Sequence, residues 1–199
     1  MDPHSLDLLH GVLVGIGLSA ACGFRVFVPL LGVSIAALAG YLPLSPDFAW
    51  LGSWPALFAF AVATVLEIGA YSVPYIDNLM DLIAAAAAMI AGTLLMASLL
   101  GDTSPFLKWS LAVIAGGGAA GIVQAGSMAL RGGSTLLTGG FGNLLVAALE
   151  FAGALGMTVL ALLVPLLAIA GFIFVAFLLV RAMARRLRAR PSPSGDAPL

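Results

Sequence analysis

Two glutamates, Glu67 and Glu150, stand inside apolar stretches of this chain in nearly the same company. The first lies in Ala63-Thr64-Val65-Leu66-Glu67-Ile68-Gly69-Ala70, the second in Val146-Ala147-Ala148-Leu149-Glu150-Phe151-Ala152-Gly153. An acid in a hydrocarbon core costs roughly 3 kcal/mol on insertion scales. A chain that accepts this cost twice, in matching contexts, is using the acids.

That reading requires a membrane protein, and the composition supplies one. Of 199 residues, 62% are hydrophobic and 9% charged, with a mean hydropathy of +1.14. A soluble domain carries about 25% charged residues. Apolar runs of about 20 residues recur along the whole chain, the length that crosses a bilayer as helix. The expected fold class is therefore all-α: a polytopic integral membrane protein of about six transmembrane helices. It forms one domain over residues 1–184, followed by a basic, then Pro/Ser-rich tail over 185–199. The net charge of −1 argues against a nucleic-acid partner. The single Cys22 allows no internal disulfide and no metal-site spacing. Met1-Asp2-Pro3-His4 has no basic segment, so no removable signal peptide is expected.

The first apolar block, about Leu8 to Leu42, is too long for one span, and a break is expected near Cys22-Gly23-Phe24-Arg25 or at Pro29. The second block, about Leu51 to Ser72, carries Glu67 and ends before Pro74. The third runs from about Asp77 to Leu100, the fourth from about Phe106 to Leu130 with Gly116-Gly117-Gly118 and Gly121 as a packing face. Arg131-Gly132-Gly133-Ser134 reads as a helix break, and Thr135 to Gly142 as a short re-entrant stretch. The fifth block, about Asn143 to Val159, carries Glu150, and the sixth, about Leu160 to Val180, includes Pro165.

The halves look related. Leu66-Glu67 falls on Leu149-Glu150, and Leu13 to Gly23 can be laid on Leu111 to Gly121. Two three-helix repeats, about 8–100 and 106–182, would then be inverted relative to each other, a mark of many transporters. Arg181, Arg185, Arg186, Arg188 and Arg190 put the C-terminus in the cytoplasm, and six spans put the N-terminus there too. The expected location is a plasma membrane, the inner one in a bacterium.

Six residues are candidates for an ion or substrate site: Glu67, Glu150, Arg25, Asn143, Asp77 and Asp81. Glu67 and Glu150, facing each other near the midplane, could hold a proton or cation because two poorly solvated carboxylates resist joint ionisation. Alternatively, they hydrogen-bond backbone freed at the breaks. Arg25 could neutralise a glutamate, bind an anion, or snorkel to a headgroup. Asp77 and Asp81 share a helical face; Asp77 reads as a helix cap or, with Asn78, as part of a cation-attracting vestibule. Gly139-Gly140-Phe141-Gly142-Asn143 could present amides to an anion with Asn143 as cap, or form a plain turn. His10 and Trp50, Trp54 and Trp109 suit the membrane interface, and Tyr71 is one turn from Glu67.

Several stretches resemble a mostly bacterial membrane family, the domain of unknown function designated four-one-two-six. They are Ser19 to Pro29, Leu66-Glu67 with Val73-Pro74-Tyr75-Ile76-Asp77, and Thr138 to Asn143 with Leu149-Glu150. The family pattern often has Pro after the asparagine and Asp after the second glutamate, where this chain has Leu144 and Phe151. The resemblance implies a compact polytopic membrane protein and no activity.

No nucleophile–base set, zinc spacing or phosphate loop is present in the sequence, so no enzyme, cofactor or metal is expected. The expected function is a small secondary transporter or channel, proton- or cation-coupled through the two glutamates. The alternative is a non-catalytic membrane subunit or scaffold whose small-residue faces pack against partner membrane proteins. Besides the lipid bilayer, the expected partners are a small ion or small-molecule substrate and a second copy or larger membrane complex.

Overall fold

Proline and glycine set most of the helix ends. In the computed structural model, which describes residues 3–70, 77–101 and 103–188, all regular structure is helical. The helices are α1 (Pro3–Cys22), α2 (Phe27–Leu38), α3 (Trp54–Ala70), α4 (Asp77–Leu99), α5 (Pro105–Leu111), α6 (Gly118–Thr138), α7 (Asn143–Leu163) and α8 (Pro165–Arg188). A short 3₁₀ segment, Pro46–Gly52, precedes α3, and one wide turn of π type, Ala112–Gly117, joins α5 to α6. Ser104 caps α5, accepting from the Leu107 amide at 3.4 Å, with Pro105 in the first turn where its missing N–H costs nothing. Gly139 ends α6 in the left-handed conformation (φ 63°), which a residue with a Cβ adopts only with strain.

Three described helical stretches are long and apolar enough to cross a bilayer: Ser5–Cys22, Pro105–Thr138 and Asn143–Leu163. A fourth is added if the bent pair Pro46–Gly52 and Trp54–Ala70 counts as one. The break after Cys22 is where the sequence suggested it, and Pro29 sits without a break in the first turn of α2. The break expected at Arg131–Ser134 is absent: α6 runs through Gly132 and Gly133 to Thr138, and the first half of the stretch read as re-entrant is helix. Glycine in a helix costs only about 1 kcal/mol, and the buried Arg131 is ion-paired to α7. The boundary placed near Val159 also moves, because α7 continues to Leu163 and Pro165 starts α8.

Small residues bring α1, α4 and α6 together. Ser19 Oγ donates to Gly92 O at 2.7 Å, and a Cβ at Gly11 would lie 2.6 Å from Leu99 O. The same holds between α4 and the turn before α6, where a Cβ at Gly116 would lie 2.6 Å from Gly92 O. This is the packing expected of the glycine run; Gly118, by contrast, faces open space. The main core, with Val14, Leu18, Leu95 and Met96, lies between these helices.

Contacts along the helices fix their directions. Gly11, Gly15 and Ser19 meet Leu99, Met96 and Gly92 in turn, so α1 and α4 are antiparallel. Gly17 meets Ala161 and Ala168, and further along Gly126 meets Leu179, so α8 runs the same way as α1 and α6. The α1–α2 link sits partway along the bundle: Gly23 packs on Ala120 and Val123, and Phe24 on Gly153. From there α2 turns back, Gly32 against Thr158 and Ala37 against Gly52. Trp50, Trp54 and Trp109 are all about half exposed or more and belong to the end to which α2 returns. Lys108 there pairs with Asp47 at 3.1 Å and lies over the Phe48 ring.

Candidate functional site

The α1–α2 break frees backbone amides, and a freed amide in apolar surroundings needs an acceptor. Glu67 of α3 supplies it. Its Oε1 accepts from Val26 N at 2.8 Å and its Oε2 from Phe27 N at 3.1 Å, a carboxylate across the start of α2 where the helix dipole favours negative charge. Glu67 is half-buried.

Glu150 of α7 lies in a different setting. It is 3% exposed, accepts hydrogen bonds from two side chains and is ion-paired with a third. Arg131 of α6 grips it with two nitrogens, Nε to Oε1 at 2.9 Å and Nη2 to Oε2. Ser127, one turn before Arg131, donates to Oε1. Arg25, in the α1–α2 link and 2% exposed, brings Nη2 to 3.4 Å from Oε2 and donates from the same nitrogen to Ala147 O at 3.1 Å. Both guanidiniums also lie within electrostatic reach of Glu67. Two acids and two arginines thus form one charge-balanced cluster where the broken helix meets α3, α6 and α7. The two carboxylates are not the bare facing pair expected from sequence: among the described residues no hydrogen bond joins them, and each has its own donors.

The remaining candidates are placed differently. Asn143 starts α7 about two turns (~10 Å at ~1.5 Å per residue) before Glu150, and its Nδ2 donates to Thr135 Oγ1 at 2.9 Å. It is not a cap, since the cap position is Gly142, which makes no side-chain cap bond. The side chains of Asp77, Asn78 and Asp81, together with Tyr71 and residues 73–76, lie outside the described residues. Sequence reasoning missed Ser127 and Arg131. The available signal was their four-residue spacing, with Gln124 three residues earlier, which lines up buried polar groups on one helical face.

A cleft of about 1260 Å³ opens between α1, α2 and α7 at the tryptophan-bearing end. Its wall includes Val28, Thr64 and Phe151. Val28 follows the Phe27 amide held by Glu67, Thr64 is one turn before Glu67, and Phe151 follows Glu150. The cleft therefore ends beside the charged cluster, although neither carboxylate is among its lining residues. No grouping of three or more His, Cys, Asp and Glu able to hold a metal occurs among the described residues.

The chain belongs to the family described as Domain of unknown function (DUF4126), which it matches over residues 12–185. No curated protein and no solved structure matches it.

Proposed function

We propose that the chain is a small secondary transporter or channel whose working centre is the Glu67–Arg25–Glu150–Arg131 cluster, with the proton as the coupling ion. The observation that carries this is the cluster's position: an arginine at a helix break, meeting ionisable groups of three further helices beside the inner end of an open cleft. Discontinuous helices with charged groups at the break are how carriers build midplane sites. Two guanidiniums beside two carboxylates leave little net negative charge to attract a metal cation. Asn143, about two turns before Glu150, would flank this centre and not form it.

The membrane topology follows in the same proposal. α2, 12 residues long, reaches about 18 Å, short of a ~30 Å core. α1 and α2 then form a re-entrant pair, and α3, α4, α5–α6, α7 and α8 make five crossings in place of six spans. The N-terminal end of α1 and the C-terminal end of α8 would face opposite sides, with the arginines of α8 in the cytoplasm. The inverted repeat is weaker for this, because Gly121, the counterpart of Gly23, lies inside α6.

One observation favours a second reading. Both carboxylates already have protein donors, as a scaffold's hydrogen-bonding glue would. Proteoliposomes containing a pH-sensitive dye separate the two. The carrier predicts proton movement, alone or driven by a solute gradient, that Glu150→Gln abolishes in protein that still folds. Absence of flux across a broad panel of solutes, with weakened assembly in the variant, would establish the scaffold instead.

A further inference from the structure

The cleft itself has a polarity that the charged cluster does not explain. Its walls are mostly aliphatic: Leu31 and Ile35 on α2 face Leu155 and Leu162 on α7, with Val28 and Phe151 at the inner end. The threonines on its inner wall add no free polar group. Thr64 Oγ1 donates to Phe60 O at 2.8 Å and Thr158 Oγ1 to Ala154 O at 2.7 Å, each bonding back to its own helix. Their hydroxyls are satisfied, so an apolar chain meets nothing there that it must desolvate. At the mouth the chemistry changes: Asp7 and His10 on α1, Tyr41, Ser45 and Thr103 line the rim.

We infer that this cleft binds a membrane phospholipid whose headgroup ends in an ammonium, its acyl chains lying along α2 and α7. The size fits a lipid, since small-molecule pockets measure about 300–1,000 Å³ and this cleft is about 1260 Å³. The headgroup assignment comes from charge. Asp7 is the charged carboxylate among the rim residues. The sequence has no Lys or Arg before Arg25 and none from there to Lys108, and these two are engaged with Glu150 and Asp47. An ammonium group finds a counter-charge at this rim; a purely anionic headgroup meets a carboxylate. The inference does not depend on transport, because it concerns equilibrium binding alone.

The test is native mass spectrometry of the detergent-purified protein, titrated with dioleoyl phosphatidylethanolamine or with dioleoyl phosphatidylglycerol. The expected result is one ethanolamine lipid retained at least several-fold more tightly than the glycerol lipid. Leu155→Trp, which fills the cleft, should abolish that retention; Ile35→Trp does the same from the opposite wall should the first variant fold poorly. Leu166→Trp, on the exposed surface of α8, should leave it unchanged. Asp7→Asn should keep the lipid and erase the headgroup preference. Equal retention of both lipids by the unmodified protein would overturn the headgroup assignment. Retention insensitive to both tryptophans in the cleft would show annular lipid only and overturn the site.

Discussion

Glu67 and Glu150 occupy matching sequence contexts and do different work. Glu150 is nearly inaccessible and held by side chains: Ser127 and Arg131 from α6 and Arg25 from the α1–α2 link. Glu67 is half-buried and neutralised chiefly by backbone, the two amides that open α2. The difference teaches that an apolar neighbourhood shows that an acid needs partners but not which kind. A helix break supplies amides; a packed helix face must supply cations.

The largest effect separating the two sites is expected at Glu150. Glu150→Gln strands two guanidiniums inside the protein, and removing one member of a buried pair costs about 3–5 kcal/mol. Thermal unfolding in detergent should show it, and Arg131→Leu combined with Glu150→Leu should cost less than the two single changes added together. Strict additivity would mean the pair is not coupled, and the comparison would collapse. Next in size is Arg131→Met, which takes away both gripping nitrogens. It should destabilise by about 1.5–3 kcal/mol, the range for hydrogen bonds to charged groups, and by more than Arg25→Met, which leaves Glu150 gripped. An inverted order would make Arg25 the principal partner. Glu67→Gln keeps one oxygen and should cost only about 1 kcal/mol, its charge having faced a helix dipole. Faster hydrogen exchange at Val26 or Phe27 would locate that loss, and unchanged exchange there would deny Glu67 its capping role. The smallest effect belongs to Asp47→Asn at the tryptophan end. Asp47 is 77% exposed, so the change should register within about 0–1 kcal/mol and shrink further in high salt.

What was legible in the sequence followed from cost. A carboxylate or a guanidinium in an apolar run is expensive enough to stand out, so Glu67, Glu150 and Arg25 were visible, and Gly23 beside Arg25 marked the break. Arg131 was hidden by its neighbours. With Gly132, Gly133 and Ser134 after it, local propensity reads as a loop, while the ion pair to α7 and the continued backbone ladder hold a helix to Thr138. Nothing local reveals that pairing, because Glu150 lies 19 residues further on. The turning back of α2 was equally invisible: nothing in its apolar sequence marks a reversal, and only its 12-residue length and its contacts with α7 show that it returns.

The α1–α2 break has a consequence for how the chain is made. Emerging from the ribosome, Arg25 precedes its acceptor Ala147 by 122 residues. At the centre of a lone helix an arginine is disfavoured by about 2.5–3.5 kcal/mol during insertion. The Val26 and Phe27 amides likewise wait for Glu67 of α3. On the proposed re-entrant topology, the first hairpin would therefore not settle at its final depth when it is synthesised. It would wait at the surface or in a protected channel until α3, and then α6 and α7, arrive. The same topology predicts a late, concerted closure, in which nascent chains truncated before Glu150 leave residues near Arg25 open to water-soluble labels.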